Sequence, residues 1–276
     1  MRVKRALLSA LLCFGFFSAS AQMEEPVGIL TDNGFTRFIS VGAGATYQSF
    51  RDEAISKTIY QGYSAAPVLR FVKNHDTKFS EVALQASRMN FTRDSDPLLE
   101  QKIKSWRASA DYRYMQALPF WVEEEKNQFL LGGQLSGMFC YKNAPLMAGS
   151  SKVYEYAATL GPSARFVKKF EMKSKYHALS FDLSIPVLSF VARPSYLNRT
   201  STLENNEIKA SDVLSKARMG SFGRMFRLNT GISYMYMLDN GNAINIGYTW
   251  DYYQMNNQTQ VYYASHTLSL QFMFNY

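Results

Sequence analysis

Few side chains in this 276-residue chain have the chemistry of a nucleophile, a general base or a metal ligand. Its histidines are His75, His177 and His266, and its cysteines are Cys13 and Cys140. No His or Cys pair has metal-ligand spacing, and no Gly-rich phosphate loop is present. His75 stands beside Asp76 and reads as a solvated turn residue, while His177 opens a strand on the inner side. His266 shares a row with Leu268 and has Thr267 and Ser269 on the opposite face, which disfavours a Ser–His bond within that strand. The run Glu123-Glu124-Glu125 reads as a solvated turn rather than a calcium site. The Asn-x-Thr triplets at Asn90, Asn198 and Asn257 match a glycosylation acceptor pattern by chance. Catalytic residues and cofactors are therefore not expected.

A second set of residues is better patterned. Arg70, Arg107, Arg113, Arg165 and Arg227 occupy the polar positions of alternating segments, as do Glu81, Asp111, Glu155, Asp182 and Asp251. Five cations face five anions, and no lysine is among them. Guanidinium groups make planar, bidentate pairs with carboxylates, so this set suits a buried plug of ion pairs. It would equally suit the lining of a small gated pore for a polar solute.

The elements that position these charges are strands, because the apolar pattern has period two. Leu268, Leu270, Phe272, Phe274 and Tyr276 alternate with Thr267, Ser269, Gln271 and Asn275. Ile244 to Tyr252, Phe226 to Tyr236, Leu179 to Val187, Tyr154 to Phe166, Phe129 to Phe139 and Trp106 to Tyr114 alternate in the same way. Ile39 to Tyr47, Tyr63 to Val72 and Phe79 to Phe91 do so more weakly. About ten strands result, most far longer than the five or six residues typical of globular proteins. Such lengths suit a closed antiparallel up-and-down barrel crossing a membrane at a tilt.

The links between strands are consistent with that architecture. Asp239-Asn240-Gly241-Asn242 carries the Asn-Gly hairpin signal, and Lys73 to Thr77 is also short. Gln48 to Gly62, Arg93 to Lys102, Lys142 to Ser151, 192–222 and 254–260 are expected as the opposing outer loops. Pro119 to Asn127 is long for a turn on its side. The polar rows carry Ser, Thr, Gly, Asn, Gln and Arg, whereas a soluble barrel would show Lys and Glu there. Lysines are instead expected in turns such as Lys168-Lys169 and Lys173 to Lys175. Aromatic residues gather near strand ends, where an interfacial girdle would lie.

Residues 1–21 have the three zones of a cleaved secretory signal: basic Arg2, Lys4 and Arg5, apolar Ala6 to Phe17, then Ser18-Ala19-Ser20-Ala21. The apolar block is too short to span a bilayer of about 30 Å. Leu12 before Cys13 argues against lipidation. Removal of the three leader cations lowers the formal charge from +8 to about +5. The basic balance is then no nucleic-acid footprint, and Cys140 is left without a disulfide partner. The mature unit is 22–276.

Leader, alternating strands and the closing row Leu268, Leu270, Phe272, Phe274 and Tyr276 together resemble a bacterial outer-membrane β-barrel. That resemblance implies an aromatic-ended last strand read by the barrel-insertion machinery, and outer-membrane lipid as the surrounding partner. Val41-Gly42-Ala43-Gly44, Tyr60-Gln61-Gly62, Leu183-Ser184-Ile185-Pro186-Val187 and Ala192-Arg193-Pro194 are similar to phrases in Bacteroidota barrels of unassigned activity. Ten strands leave a lumen too narrow for a wide porin. The expectation is a non-enzymatic envelope protein, structural or ligand-contacting, with a narrow solute channel as the alternative and a lipid hydrolase as a third. The loop from Arg193 to Ser221, with Asn205, Asn206, Glu207, Lys209 and Lys216, is its longest candidate contact surface.

Overall fold

The computed structural model describes residues 37–53, 55–75, 77–93, 103–118, 127–144, 152–193, 214, 217–257 and 259–276. Its twelve strands are β1 (Arg37–Asp52), β2 (Ser56–His75), β3 (Lys78–Arg93), β4 (Ile103–Ala117), β5 (Asn127–Asn143), β6 (Lys152–Met172), β7 (Lys175–Ser184), β8 (Leu188–Ala192), β9 (Arg218–Gly220), β10 (Met225–Met237), β11 (Ala243–Asn257) and β12 (Thr259–Asn275).

Strands β1 to β7 pair antiparallel with their neighbours in sequence, as do β8 with β9 and β10 to β12, while β7 also pairs with β10 and β1 pairs with β12 from Phe38↔Asn275 to Asp52↔Val261. The ring therefore closes with no free edge. β7 and β8 lie in line against β6, and β9 with β10 forms the next wall, so twelve segments build ten wall strands. The ten-stranded closed barrel read from the alternation is the fold observed.

Local chemistry explains the turns and the one break. Lys173 and Ser174 both have φ near +55° (53° and 59°), and they close the two-residue link between β6 and β7. Positive φ at both central positions matches strand twist in such hairpins. At the β10–β11 link, Gly241 supplies φ of 79°, Leu238 N donates to Asn242 O at 2.8 Å, and Asn242 N donates to Asn240 Oδ1 at 3.1 Å. The break between β7 and β8 is Ile185-Pro186-Val187. Proline has no N–H for the ladder, yet Ile185 N reaches Pro162 O at 3.1 Å and Val187 N reaches Leu160 O at 2.9 Å around it. Gly161 makes this bend possible, because a Cβ there would stand 2.3 Å from Ile185 O.

The strands run further than the alternation indicated. β1 continues to Asp52, β2 starts at Ser56 and β5 continues to Asn143, so only 53–55 link β1 to β2. Gln48 and Lys142 therefore belong to walls, not to loops. Lys168 and Lys169 are likewise corrected: they lie inside β6, one outward and one toward the lumen. The leader 1–21, Glu123 to Glu125 and most of the 193–221 segment lie outside the described residues.

The two faces of the wall have opposite character. Val41, Leu160, Ile232, Ile246, Leu268 and Leu270 point outward and are each about half exposed. Serine, threonine, glutamine and charged residues point inward and are buried. Outward aromatic pairs sit toward both rims, with Tyr141–Tyr154 at 5.0 Å and Arg88 stacked 4.7 Å over Trp106 at one end. Phe272–Phe274 at 4.6 Å and Phe170–His177 at 5.3 Å lie at the other. A soluble monomer rarely exposes a contiguous apolar patch beyond a few hundred Å². Here exposed apolar side chains recur on strands all round the barrel.

Candidate functional site: a layered lumen

The period-two geometry of each strand places alternate residues on the barrel axis. The start of β1 at Arg37, Tyr276 and the 173–174 and 238–242 turns share one rim, here the terminal rim; the opposite rim, with the 53–55 link and the ends of β3, β5 and β11, is the loop rim. Between them the lumen is stacked in layers.

At the terminal rim, apolar side chains form the first layer: Phe38, Met237, Ala243 and Met273 in one cluster, Phe79, Met115 and Leu130 in another, bridged by Val72. Above it lies a four-membered charge cluster. Arg113 contacts Glu81 at 2.7 Å and Asp182 at 3.1 Å, and Arg165 contacts Asp182 at 2.8 Å and Glu81 at 3.9 Å. These four residues belong to β3, β4, β6 and β7, so the cluster ties a quadrant of the wall together. The guanidinium of Arg165 also lies 4.1 Å over the Phe79 ring.

A second cluster follows. Arg107 on β4 reaches Asp251 on β11 at 2.6 Å, spanning the lumen. Arg227 holds Asp251 at 2.8 Å and Asp111 at 3.9 Å. Gln134 Nε2 donates to the remaining oxygen-bearing partner, Asp111, at 3.0 Å. Around these charges run hydroxyl and amide bonds between strands, including Thr46–Thr267 at 2.9 Å, Ser163–Ser184 at 2.8 Å and Ser40 Oγ to Gln271 Oε1 at 3.0 Å. A polar chamber of about 90 Å³ lies beside them.

The loop rim holds a third cluster that the alternation did not reveal. Lys142 Nζ lies 3.3 Å from Asp52 and 2.9 Å from Glu155, and Arg193 contacts Asp52 and, at 3.3 Å, Glu155. All four are almost wholly buried. Lys142 also stands 4.6 Å over the Phe50 ring. Apolar side chains surround the cluster, among them Phe50, Tyr60, Phe91, Ile103, Met255 and Val261. Phe50 and Tyr60 stack at 5.3 Å, and Tyr253 and Tyr263 at 4.7 Å.

The charge set expected from the sequence is thus partly regrouped. Arg107, Arg113, Arg165, Arg227, Glu81, Asp111, Asp182 and Asp251 meet in the two inner clusters. Glu155 instead joins Lys142, so the expectation of a lumen without lysine fails. Arg193 turns into the barrel, not outward on a contact loop. Arg70 faces the lumen but takes part in none of the described ion pairs. Asp52, Lys142 and Arg193 escaped because they close strands and read as loop residues. Their phase was visible: Gln48, Phe50 and Asp52 share one parity, as do Met138, Cys140 and Lys142.

The histidines stand elsewhere. His266 is outward, with Nδ1 2.7 Å from Tyr248 Oη and its ring 6.0 Å from that of Tyr47. His177 opens β7 beside the terminal-rim turn, on the strand's outward row, where it stacks on Phe170 and bonds through Nδ1 to Tyr234 Oη at 2.6 Å. His75 ends β2. Cys140 is buried with its Sγ 3.6 Å from Ser105 Oγ. Among the described residues no group of three His, Cys, Asp or Glu side chains could hold a metal ion.

Fold and lumen define a closed, inside-out barrel: apolar wall without, balanced charge within. Among solved structures the chain is similar to outer-membrane barrels. The Pseudomonas putida toluene transporter TodX is 8% identical, with a TM-score of 0.33 over 92% of this chain and 95% of that one. OprG of Pseudomonas aeruginosa is 9% identical, with a TM-score of 0.34 over 88% and 98%. The translocator domain of the autotransporter NalP from Neisseria meningitidis is 6% identical, with a TM-score of 0.42 over 90% and 91%. No family model matches the chain, and no curated protein matches it.

Proposed function

We propose that this chain is an outer-membrane β-barrel whose lumen is plugged by its own side chains, a non-enzymatic envelope protein with a structural or ligand-contacting role. The observation that carries this reading is the inverted polarity of the wall. In water, an apolar circumference is unfavourable by about 25 cal/mol per Å². In a bilayer it is matched by hydrocarbon, and the described strands pair into a closed ring, as a membrane requires. The outward row Leu268, Leu270, Phe272, Phe274 and Tyr276 would serve as the signal for the barrel-insertion machinery, and residues 1–21 as the export leader.

The plug is supported by charge balance and by the seal at the loop rim. Each of the three clusters holds two cations and two anions. Burying such charges is tolerable only when they are mutually paired. The apolar shell around Phe50, Tyr60 and Met255 would oppose the hydrated path an ion needs. His266 pairs with a tyrosine rather than with a hydroxyl nucleophile and a carboxylate, which favours a non-enzymatic role over a lipid hydrolase.

Planar-bilayer recording on the refolded protein tests the plug. The reading predicts a silent bilayer at moderate voltage. Conductance steps of reproducible size would overturn it and establish the narrow solute channel instead.

A further inference from the structure

Within the lumen, one arginine among the described residues stands outside the three balanced clusters. Arg70, on β2, lines both the polar chamber and a second cavity of about 130 Å³ on the terminal side. Its Nε is buried with no hydrogen-bond partner in the protein. Glu81, whose carboxylate shares this region and also lines the cavity, is already engaged by Arg113 at 2.7 Å. Asp182, the other anion at this level, is held by Arg113 and Arg165. Arg70 therefore makes no contact ion pair among the described residues, although it shares the field of Glu81.

The cavity around it has a divided lining. Ser40, opposite Arg70 on β1, and its partner Gln271 give polar groups on the Arg70 side, while Phe38, Val72 and Met273 belong to the apolar cluster at the terminal rim, with Asn74 beyond Val72. Lys169 also lines it and adds positive potential. A water needs only about 10–15 Å³ of such space, so the cavity is roomy enough for a small organic molecule. A planar, two-oxygen anion matches a guanidinium fork, and an apolar body matches the rim.

We infer that this terminal-side vestibule is a binding site for a short aliphatic monocarboxylate, with its carboxylate on Arg70 and its chain among Phe38, Val72 and Met273. The inference deepens the ligand-contacting side of the proposed function and rests on it only for which compartment the vestibule faces. Binding itself is measurable in detergent whether or not the bilayer is silent. Filling the site would leave the loop-rim seal intact, so occupancy requires no passage through the barrel.

The test is calorimetric titration of the refolded full mature chain with hexanoate, with hexan-1-ol, acetate and inorganic phosphate as comparison probes. Hexanoate should bind at least tenfold more tightly than each of the three. Arg70→Gln should weaken hexanoate binding at least tenfold, and Arg70→Lys should recover part of it. Val72→Phe, which fills the vestibule while keeping the cation, should abolish binding; Arg88→Gln, on the outer wall, should leave it unchanged. Heat-modifiable migration on a gel reports that each variant is folded, and Val72→Phe decides the matter if Arg70→Gln is not. Equal hexanoate affinity in wild type and the folded variants, or no measurable binding, would overturn the inference. Phosphate or acetate binding as tightly as hexanoate would overturn the apolar half of the site.

Discussion

At the residue scale, the lumen is organised by pairing rather than by single charges. Lys142 is the sharpest case, because its ammonium, together with the Arg193 guanidinium, bridges Asp52 and Glu155 in a shell of aromatic and aliphatic side chains. Removing one member of a buried cluster leaves a charge uncompensated, which costs about 3–5 kcal/mol. Lys142→Met should therefore lower stability by about that amount in urea titrations monitored by tryptophan fluorescence. Lys168→Met, on the exposed outer side of the same sheet, should change it by less than about 0.5 kcal/mol. Comparable effects at the two positions would mean that the loop-rim cluster is not the structural element described. Thr46 and Thr267 illustrate the milder case, since a hydroxyl pair across β1 and β12 contributes only about 0.5–1.5 kcal/mol.

At the scale of the strand, the bend between β7 and β8 depends on a residue that is not in it. Gly161 on β6 faces the Ile185-Pro186-Val187 break, and its missing side chain is what lets the two backbones approach. Gly161→Ala places a Cβ 2.3 Å from Ile185 O, a clash with backbone that cannot rotate away. A destabilisation of about 1–3 kcal/mol is expected, typical of overpacking. Gly133→Ala, whose Cβ would find its nearest neighbour at 3.6 Å, should be close to neutral in the same unfolding assay. Equal responses would remove the close approach as the cause of the bend. Strand phase was legible in the sequence wherever an apolar row met a polar one, as in Leu268 to Tyr276 or Trp106 to Tyr114. Strand ends were not. Near the loop rim the inward row turns aromatic and carries Lys142 and Asp52, so the contrast between faces that marks a strand disappears. The pairing of specific charges was also illegible, because it depends on which strands the closed ring sets opposite one another. Arg107 and Asp251 are 144 residues apart and meet only across the lumen.

At the scale of the whole molecule, the barrel inverts the polarity of a soluble protein, and its energetics follow from its solvent. Leu268 stands outward near the middle of β12, 58% exposed. Leu268→Arg should destabilise the protein in lipid vesicles by about 2–4 kcal/mol, the cost of a cation near the bilayer midplane. A water-soluble barrel would tolerate that change without loss, and an unchanged unfolding midpoint would favour it. The measurement that tests the central claim most directly is heat-modifiable migration of the protein in membrane fractions of the cells that make it. A closed barrel embedded in the outer membrane predicts a fast-migrating band in that fraction that shifts to the mass of the unfolded chain on boiling. A protein released by osmotic shock into the soluble fraction, with no heat-dependent shift, would contradict it.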